Sequence, residues 1–409
     1  MYPIPFRIVL GWHRENSPGA ELAEQIRARF HGDDTGGRQD DSGVNTGSIR
    51  LDTDVIRRSR ATYSWAWHGR TASGPNPVVH DRRTRTLVVA LVDHRFANDP
   101  GYVAWLEDTA AKAVDPHHVI FPVIMAEGDD RRYAETGGTL FAQIQGLRYF
   151  LQPDPPLRPA HLMLRIAYEA CRLLGGKGVR VFLSHAKADG LPLVQSFRSL
   201  IGDLAWLPYF YDVKDLAPGQ NWANEIRKGV RDSALIIVRT GAYDGREWCR
   251  AEVDEALKHQ VAMVCVEAAE RAQRDQNPTY LNNIPVVRVT DGDLFRPLDA
   301  LLREQLRCLI LRRLHDLFVD DGRIDRDRTL LLVRPPELVD LFRMRDRLRG
   351  GIDQIVYPGP SMPHREREML DEVARSMFSC TLKSTDDFYG SEVRPSSHHS
   401  PHSPESDVS

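Results

Sequence analysis

Short, continuous apolar runs set between amphipathic helical stretches limit this chain more than any other feature. The clearest set is VRVFLS (179–184), LPYFY (207–211), ALIIV (234–238), VAMVCV (261–266) and PVVRV (285–289). Runs this short, without polar alternation, suit strands buried on both faces, as in a parallel sheet covered by helices. Helical patterns separate them at 191–202, 222–230 and 247–258, and Leu298, Leu301, Leu302, Leu309 and Leu314 recur as an amphipathic closing helix requires. The expectation is an α/β domain over 178–318 with a central five-stranded, parallel, doubly wound sheet. Such sheets carry their sites at the carboxyl ends of the strands.

Two further regions show the same alternation. Residues 1–150 give an N-terminal α/β domain: a strand at 6–10, a helix at 20–30, TLVVALVDH (86–94), a helix at 102–114 and VIFPVIM (119–125). A Gly/Asp/Ser/Arg-rich stretch with Trp65 and Trp67 occupies 31–83. Residues 151–177 read as a helical linker. Residues 325–382 read as a small C-terminal α/β unit, with TLLLV (329–333), Pro335–Pro336 suited to a helix start, IVYPG (355–359) and a helix at 365–377. The Ser/Pro/His/Asp-rich segment 384–409 reads as a disordered tail.

The chain has 409 residues, room for two to three domains at about 150 residues each. Its 54 basic and 57 acidic side chains, a net charge of −3, exclude binding to nucleic acid or anionic lipid by bulk attraction. No stretch approaches the ~20 apolar residues of a membrane span. The start, MYPIPFRIVLGWHRE, lacks the basic, apolar and small-residue order of a secretory signal, so a cytoplasmic protein is expected. The five cysteines, Cys171, Cys249, Cys265, Cys308 and Cys380, form no CxxC pair; buried thiols are expected, with neither disulfides nor a bound metal.

Several constellations fail on spacing. GGKG at 175–178 is not a phosphate-binding loop. Ser184, His185 and Asp189 supply hydrolase residue types without the strand–turn pattern a nucleophilic serine needs. His117, His118, His398, His399 and His402 lack companions at ligand spacing and read as surface histidines.

One constellation survives. The first strand of the 178–318 region ends VFLSHAKAD, with Ser184 at the carboxyl end of the sheet. The second ends FYDVKDLAPGQNW, a polar loop broken at Pro218–Gly219. The third is followed by SALIIVRTGAYDGREWCRAEVDEA, where Trp248 and Glu252 are four apart and share a helix face. A serine, an aspartate, aromatics and a carboxylate thus converge on one mouth, as in a small-molecule cleft.

In order and wording these segments resemble the TIR (Toll/interleukin-1 receptor) domain: FLSHAKAD its first box, DVKDLAPGQNWANEI the loop after its second strand, REWCRAEVDEA the helix start that carries the glutamate of its enzymatic members. The resemblance covers a third of the chain and implies a flavodoxin-like sheet. It also implies an NAD+ glycohydrolase that breaks the nicotinamide–ribose bond by hydrolysis or cyclisation, with Glu252 catalytic and NAD+ as substrate rather than cofactor. Nicotinamide leaves as a neutral molecule from a cationic pyridinium, so no general acid is needed; one carboxylate facing the oxocarbenium-like ribose can supply the stabilisation. Phe182, Ser184, Asp212, Trp222 and Trp248 are the candidate NAD+ contacts. For Trp222 and Trp248 packing on the sheet competes with stacking on the ligand, Phe182 could point into the sheet, Asp212 could cap the loop, and Glu252 could be an exposed residue paired with Arg250 or Lys258. The resemblance further implies homo-oligomerisation through TIR–TIR contacts, activation on assembly and a role in anti-phage defence. The alternative is a non-enzymatic TIR adaptor. His185, Ala186 and Lys187 after the serine, and Lys214 and Asp215 in the loop, depart from the enzymatic pattern and leave the product open. The first region can be read as a degenerate, non-catalytic copy: it has Trp105 and Glu107 near a helix start but neither the first-box serine nor the Pro–Gly loop.

Overall fold

Three parallel sheets account for the apolar runs. A computed structural model describes residues 5–31, 82–112, 116–129, 144–152, 154–210, 222–268, 281, 284–289, 292–358 and 362–388. The first sheet is built from β1 (Phe6–Trp12), β2 (Arg85–Val92), β3 (His118–Ile124) and β4 (Leu147–Arg148), in that spatial order and parallel throughout. Its helices are α1 (Ser17–His31), α2 (His94–Asn98), α3 (Pro100–Lys112) and α4 (Arg158–Gly175). Trp65 and Trp67 lie outside the described residues.

The second sheet contains β5 (Val181–His185), β6 (Tyr209–Phe210), β7 (Ala234–Arg239), β8 (Met263–Glu267) and β9 (Val286–Arg288), all parallel in the order β6-β5-β7-β8-β9. Helices α5 (Leu191–Leu204), α6 (Trp222–Arg231), α7 (Glu247–Lys258) and α8 (Phe295–Asp320) complete it. All of β7 is buried, as a strand covered on both faces must be. Val181 and Leu183 enter one core with α5 and α8; Phe182, Leu235 and Ile237 enter another with α6 and α7. The order reverses direction at β5 and β7, so a crevice opens beyond their carboxyl ends.

The third sheet is β10 (Thr329–Leu331), β11 (Gln354–Tyr357) and β12 (Thr381–Ser384), parallel in sequence order, with α9 (Leu338–Arg343), α10 (Arg345–Leu348) and α11 (His364–Phe378). A buried ion network fastens it to the second sheet. Arg334 donates to the Val261 carbonyl at 2.6 Å and lies 3.5 Å from Glu304, which is 1% exposed and also holds Arg307.

Three expectations need correction. Residues 158–175 are not a linker: ten side chains of α4 are buried, and the helix packs along α8, with the Cys171 thiol donating to the Leu302 carbonyl at 3.6 Å. The proposed tail begins too early, because Ser384 ends β12 and Phe388 stacks on Phe318 at 5.3 Å; residues 389–409 lie outside the described residues. His118 is buried in β3, since the strand's regular alternation carries it inward. All five cysteines are buried and free.

Candidate functional site

Helix α7 buries Cys249, Val253 and Ala256 against the sheet. That stripe has the i, i+4, i+7 spacing of an inward face, and Glu252, at i+3, falls on the same face. A carboxylate where the pattern calls for an apolar side chain breaks the folding rule, and such breaks are expected at functional or strained positions. Strand β5 does the same: alternation turns Phe182 and Ser184 to the α7 side, and the second is a serine only 1% exposed.

The two exceptions meet. Ser184 Oγ donates to Glu252 Oε2 at 2.5 Å. The Tyr243 hydroxyl lies 2.7 Å from the same serine oxygen. A serine has one proton, here committed to the carboxylate, so Tyr243 is the donor to Ser184. The chain of bonds therefore runs Tyr243 to Ser184 to Glu252. It ends on a half-buried carboxylate at the carboxyl end of β5.

Tyr243 is held by the turn that follows β7. Its backbone N–H bonds to the Thr240 carbonyl, and Arg246 N–H bonds to the Tyr243 carbonyl. From one side Asp189 accepts from Thr240 Oγ1 at 2.6 Å and from Ala242 N–H at 2.8 Å. From the other, Arg239 reaches Asp244 Oδ2 at 2.9 Å and Glu267 Oε2 at 2.7 Å. Burial opposes charge on Arg239, 2% exposed, but its bonds to Asp244 and the field of Glu267 hold its pKa above the ordinary arginine value. Next to Glu252, Cys249 donates to the His185 carbonyl at 3.5 Å. Burial, reinforced by the Glu252 charge, pushes its thiol up to about 12.

Of the six candidate residues, the structure brings Ser184 and Glu252 into contact. Trp248 lies one turn before Glu252 on α7 and is 50% exposed. Phe182 is 2% exposed, packed in the core with Ile226 and Val230 one pleat below Ser184, and so presents its ring to the protein interior rather than to the mouth. Trp222 begins α6. Asp212 lies outside the described residues, as do Pro218 and Gly219 of its loop. Sequence reasoning missed Tyr243 and Arg239. The signal for Tyr243 was an aromatic with a hydroxyl four residues past a strand end; for Arg239, a charge closing an otherwise apolar run. Asp189, set aside as a triad member, serves as the anchor of the Tyr243 turn.

A cavity of about 200 Å³ lies at the opposite, amino end of this sheet, lined by residues including Arg180, Ser233 and Arg312, and is remote from Glu252. Among the described residues no group of three or more His, Cys, Asp or Glu side chains could hold a metal ion. Among the same residues no helix is long and apolar enough to cross a membrane.

No curated protein matches the chain. Among solved structures, the C-terminal domain of glucosamine-fructose-6-phosphate aminotransferase from Francisella tularensis is similar at 9% identity, over 76% of this chain and 84% of that one, with a TM-score of 0.19. The family model of the TIR domain matches residues 181–302, from the first residue of β5 into α8. The segment that carries Ser184, Tyr243 and Glu252 on a parallel sheet is therefore a TIR domain.

Proposed function

We propose that the TIR domain cleaves NAD+ at the nicotinamide–ribose bond, with Glu252 as the catalytic residue. The observation that supports this most is the Ser184–Glu252 hydrogen bond, which fixes a carboxylate on the inward face of α7 at the carboxyl end of the sheet. In the reaction the C1′–N bond breaks and its electron pair neutralises the pyridinium, so nicotinamide departs without a proton donor. The ribosyl group left behind carries positive charge shared between C1′ and the ring oxygen. Glu252, oriented by Ser184 and Tyr243, faces that charge and aligns the ribose hydroxyls. Preorganised charge of this kind acts without reorganisation at the moment of reaction. Water adding to C1′ gives ADP-ribose and a proton; an adenine nitrogen adding instead gives a cyclic isomer. Trp248 on the same helix face offers a surface for the nicotinamide or adenine ring, and Trp222 and Asp212 complete the proposed NAD+ contacts. Activation follows assembly of several chains through TIR–TIR contacts in the cytoplasm, and NAD+ depletion arrests a phage-infected cell.

The test is nicotinamide release from concentrated protein. Glu252→Gln is expected to lower it at least about 100-fold while the thermal transition stays in place. Release by the variant at the wild-type rate removes the assignment.

A second reading, a non-enzymatic interaction module, draws on the half exposure of Trp248, since exposed tryptophan is characteristic of docking surfaces. It requires that wild-type protein release no nicotinamide in any assembly state, and that Trp248→Ala weaken self-association.

A further inference from the structure

Gly11, Phe96 and Trp105 of the first sheet occupy the places that Ser184, Tyr243 and Glu252 occupy in the second. Without its edge strand β6, the TIR sheet reads β5-β7-β8-β9, four neighbouring parallel strands, as does β1-β2-β3-β4. The layers match as well. Helices α1 and α4 lie with Ile8 and Leu10 on one face of the first sheet, as α5 and α8 lie with Val181 and Leu183. On the opposite faces α3 covers Val9, Val88 and Ala90, and α7 covers Phe182, Leu235 and Ile237. The registers agree residue by residue: Val9 pairs with Val88 and Gly11 with Ala90, as Phe182 pairs with Leu235 and Ser184 with Ile237.

This superposition of topology fixes three equivalences. Gly11 is the penultimate residue of β1, as Ser184 is of β5. Phe96 lies four residues past the end of β2 and nine before Trp105; Tyr243 lies four past the end of β7 and nine before Glu252. All three residues of the site are replaced by apolar ones. The Phe96 and Trp105 rings meet edge-on at 6.2 Å. A Cβ on Gly11 would come within 2.6 Å of Trp105 Cη2, so the indole itself excludes a serine there. Trp105 is 5% exposed and Phe96 1%. Glu107, two residues on, is turned about 200° around α3 from Trp105 and cannot take the carboxylate's place.

We infer that residues 6–175 are a second, catalytically silent copy of the TIR fold, with its site filled by the Gly11–Phe96–Trp105 contact, serving as the permanent partner of the site-bearing copy through α4 and α8. The silence rests on the proposed role of Glu252; the filled mouth does not. The pairing surface is the matching helix of each copy: His161 of α4 meets Phe295 of α8 at 4.7 Å, and the two sheets share one core there.

The experiment uses the full chain, with Gly11→Ala, Trp105→Phe, their combination, and Glu252→Gln alone and with Trp105→Phe, each read by thermal unfolding and nicotinamide release. Gly11→Ala is expected to lower Tm by about 5 °C, and most of that loss should vanish in the Trp105→Phe background, where Cη2 is gone. Turnover per folded molecule should stay within about twofold of wild type in the three that keep Glu252, and Glu252→Gln should lower it at least about 100-fold. An unchanged Tm for Gly11→Ala overturns the filled mouth. Residual release by Glu252→Gln that disappears on adding Trp105→Phe overturns the silence, as does lost turnover in Trp105→Phe at unchanged Tm. A wild-type protein that releases no nicotinamide removes the role of Glu252 instead, and the Tm comparison still decides whether the first mouth is filled.

Discussion

Ser184 and Glu252, separated by 68 residues, share a 2.5 Å hydrogen bond in which the serine is donor, and Tyr243 supplies the serine's second partner at 2.7 Å. The carboxylate is thus oriented by a side chain that is itself oriented. Tyr243→Phe removes the outer bond, leaves ring packing intact and strips a buried oxygen of its donor. A stability loss of about 1–2 kcal/mol is expected, with a roughly tenfold fall in kcat/KM for NAD+. Ser184→Ala should fall further. Steady-state nicotinamide release and urea unfolding check both; wild-type kinetics in the two variants would detach the relay from function.

Arg239 joins the turn that carries Tyr243 to the end of β8. Arg239→Met leaves Glu267, 6% exposed, without that partner in a low-dielectric site. Breaking a buried pair in this way destabilises by about 3–5 kcal/mol. Chemical denaturation should show this loss, and a double substitution with Glu267→Gln should recover part of it. Full additivity of the two substitutions would mean that the ion pair carries no coupling.

Cys249 stands beside Glu252 with its thiol pushed up to about 12, chiefly by burial. At pH 8 it is protonated and poorly nucleophilic. Native protein should therefore show no fast-reacting thiol towards a disulfide reagent, and all five should react after unfolding. Rapid modification of Cys249 with loss of nicotinamide release would indicate that the start of α7 opens in solution.

Glu304 is buried, which alone would raise its pKa, but Arg307 and Arg334 hold it below the ordinary glutamate value. A depressed folded-state pKa contributes stability that is complete above the unfolded value, about 4.3, and is lost as pH falls through the lower folded value. Unfolding midpoints should drop below about pH 4 in the wild type. Glu304→Gln should lower stability at pH 7 and flatten that acid limb. An unchanged acid limb in the variant would show that other carboxylates govern it.

Much of the architecture was legible because parallel strands buried on both faces advertise themselves as unbroken apolar runs. ALIIV, read as a strand at 234–238, is β7 (Ala234–Arg239), and the helix read at 247–258 is α7 (Glu247–Lys258). The role of α4 was not legible: its amphipathic face matches any helix, and its main partner, α8, lies more than a hundred residues away. Strand β4 has two residues, too few for a pattern. Within the site, Ser184 and Glu252 could be named because their segments resemble a family. Tyr243 could not, since nothing local distinguishes a tyrosine that donates to a distant serine from one that merely packs. Phe182 was drawn towards the ligand by its place beside Ser184, whereas strand geometry sets it one layer deeper.

The pairing of α4 with α8 has a consequence for higher assembly. Both helices belong to one polypeptide, so their association is unimolecular and no dilution can separate them. That side of the TIR domain is spoken for before any second molecule arrives. Any contact between molecules would have to form elsewhere on the surface, and an assembly built through it would repeat the entire multi-sheet body rather than a lone domain.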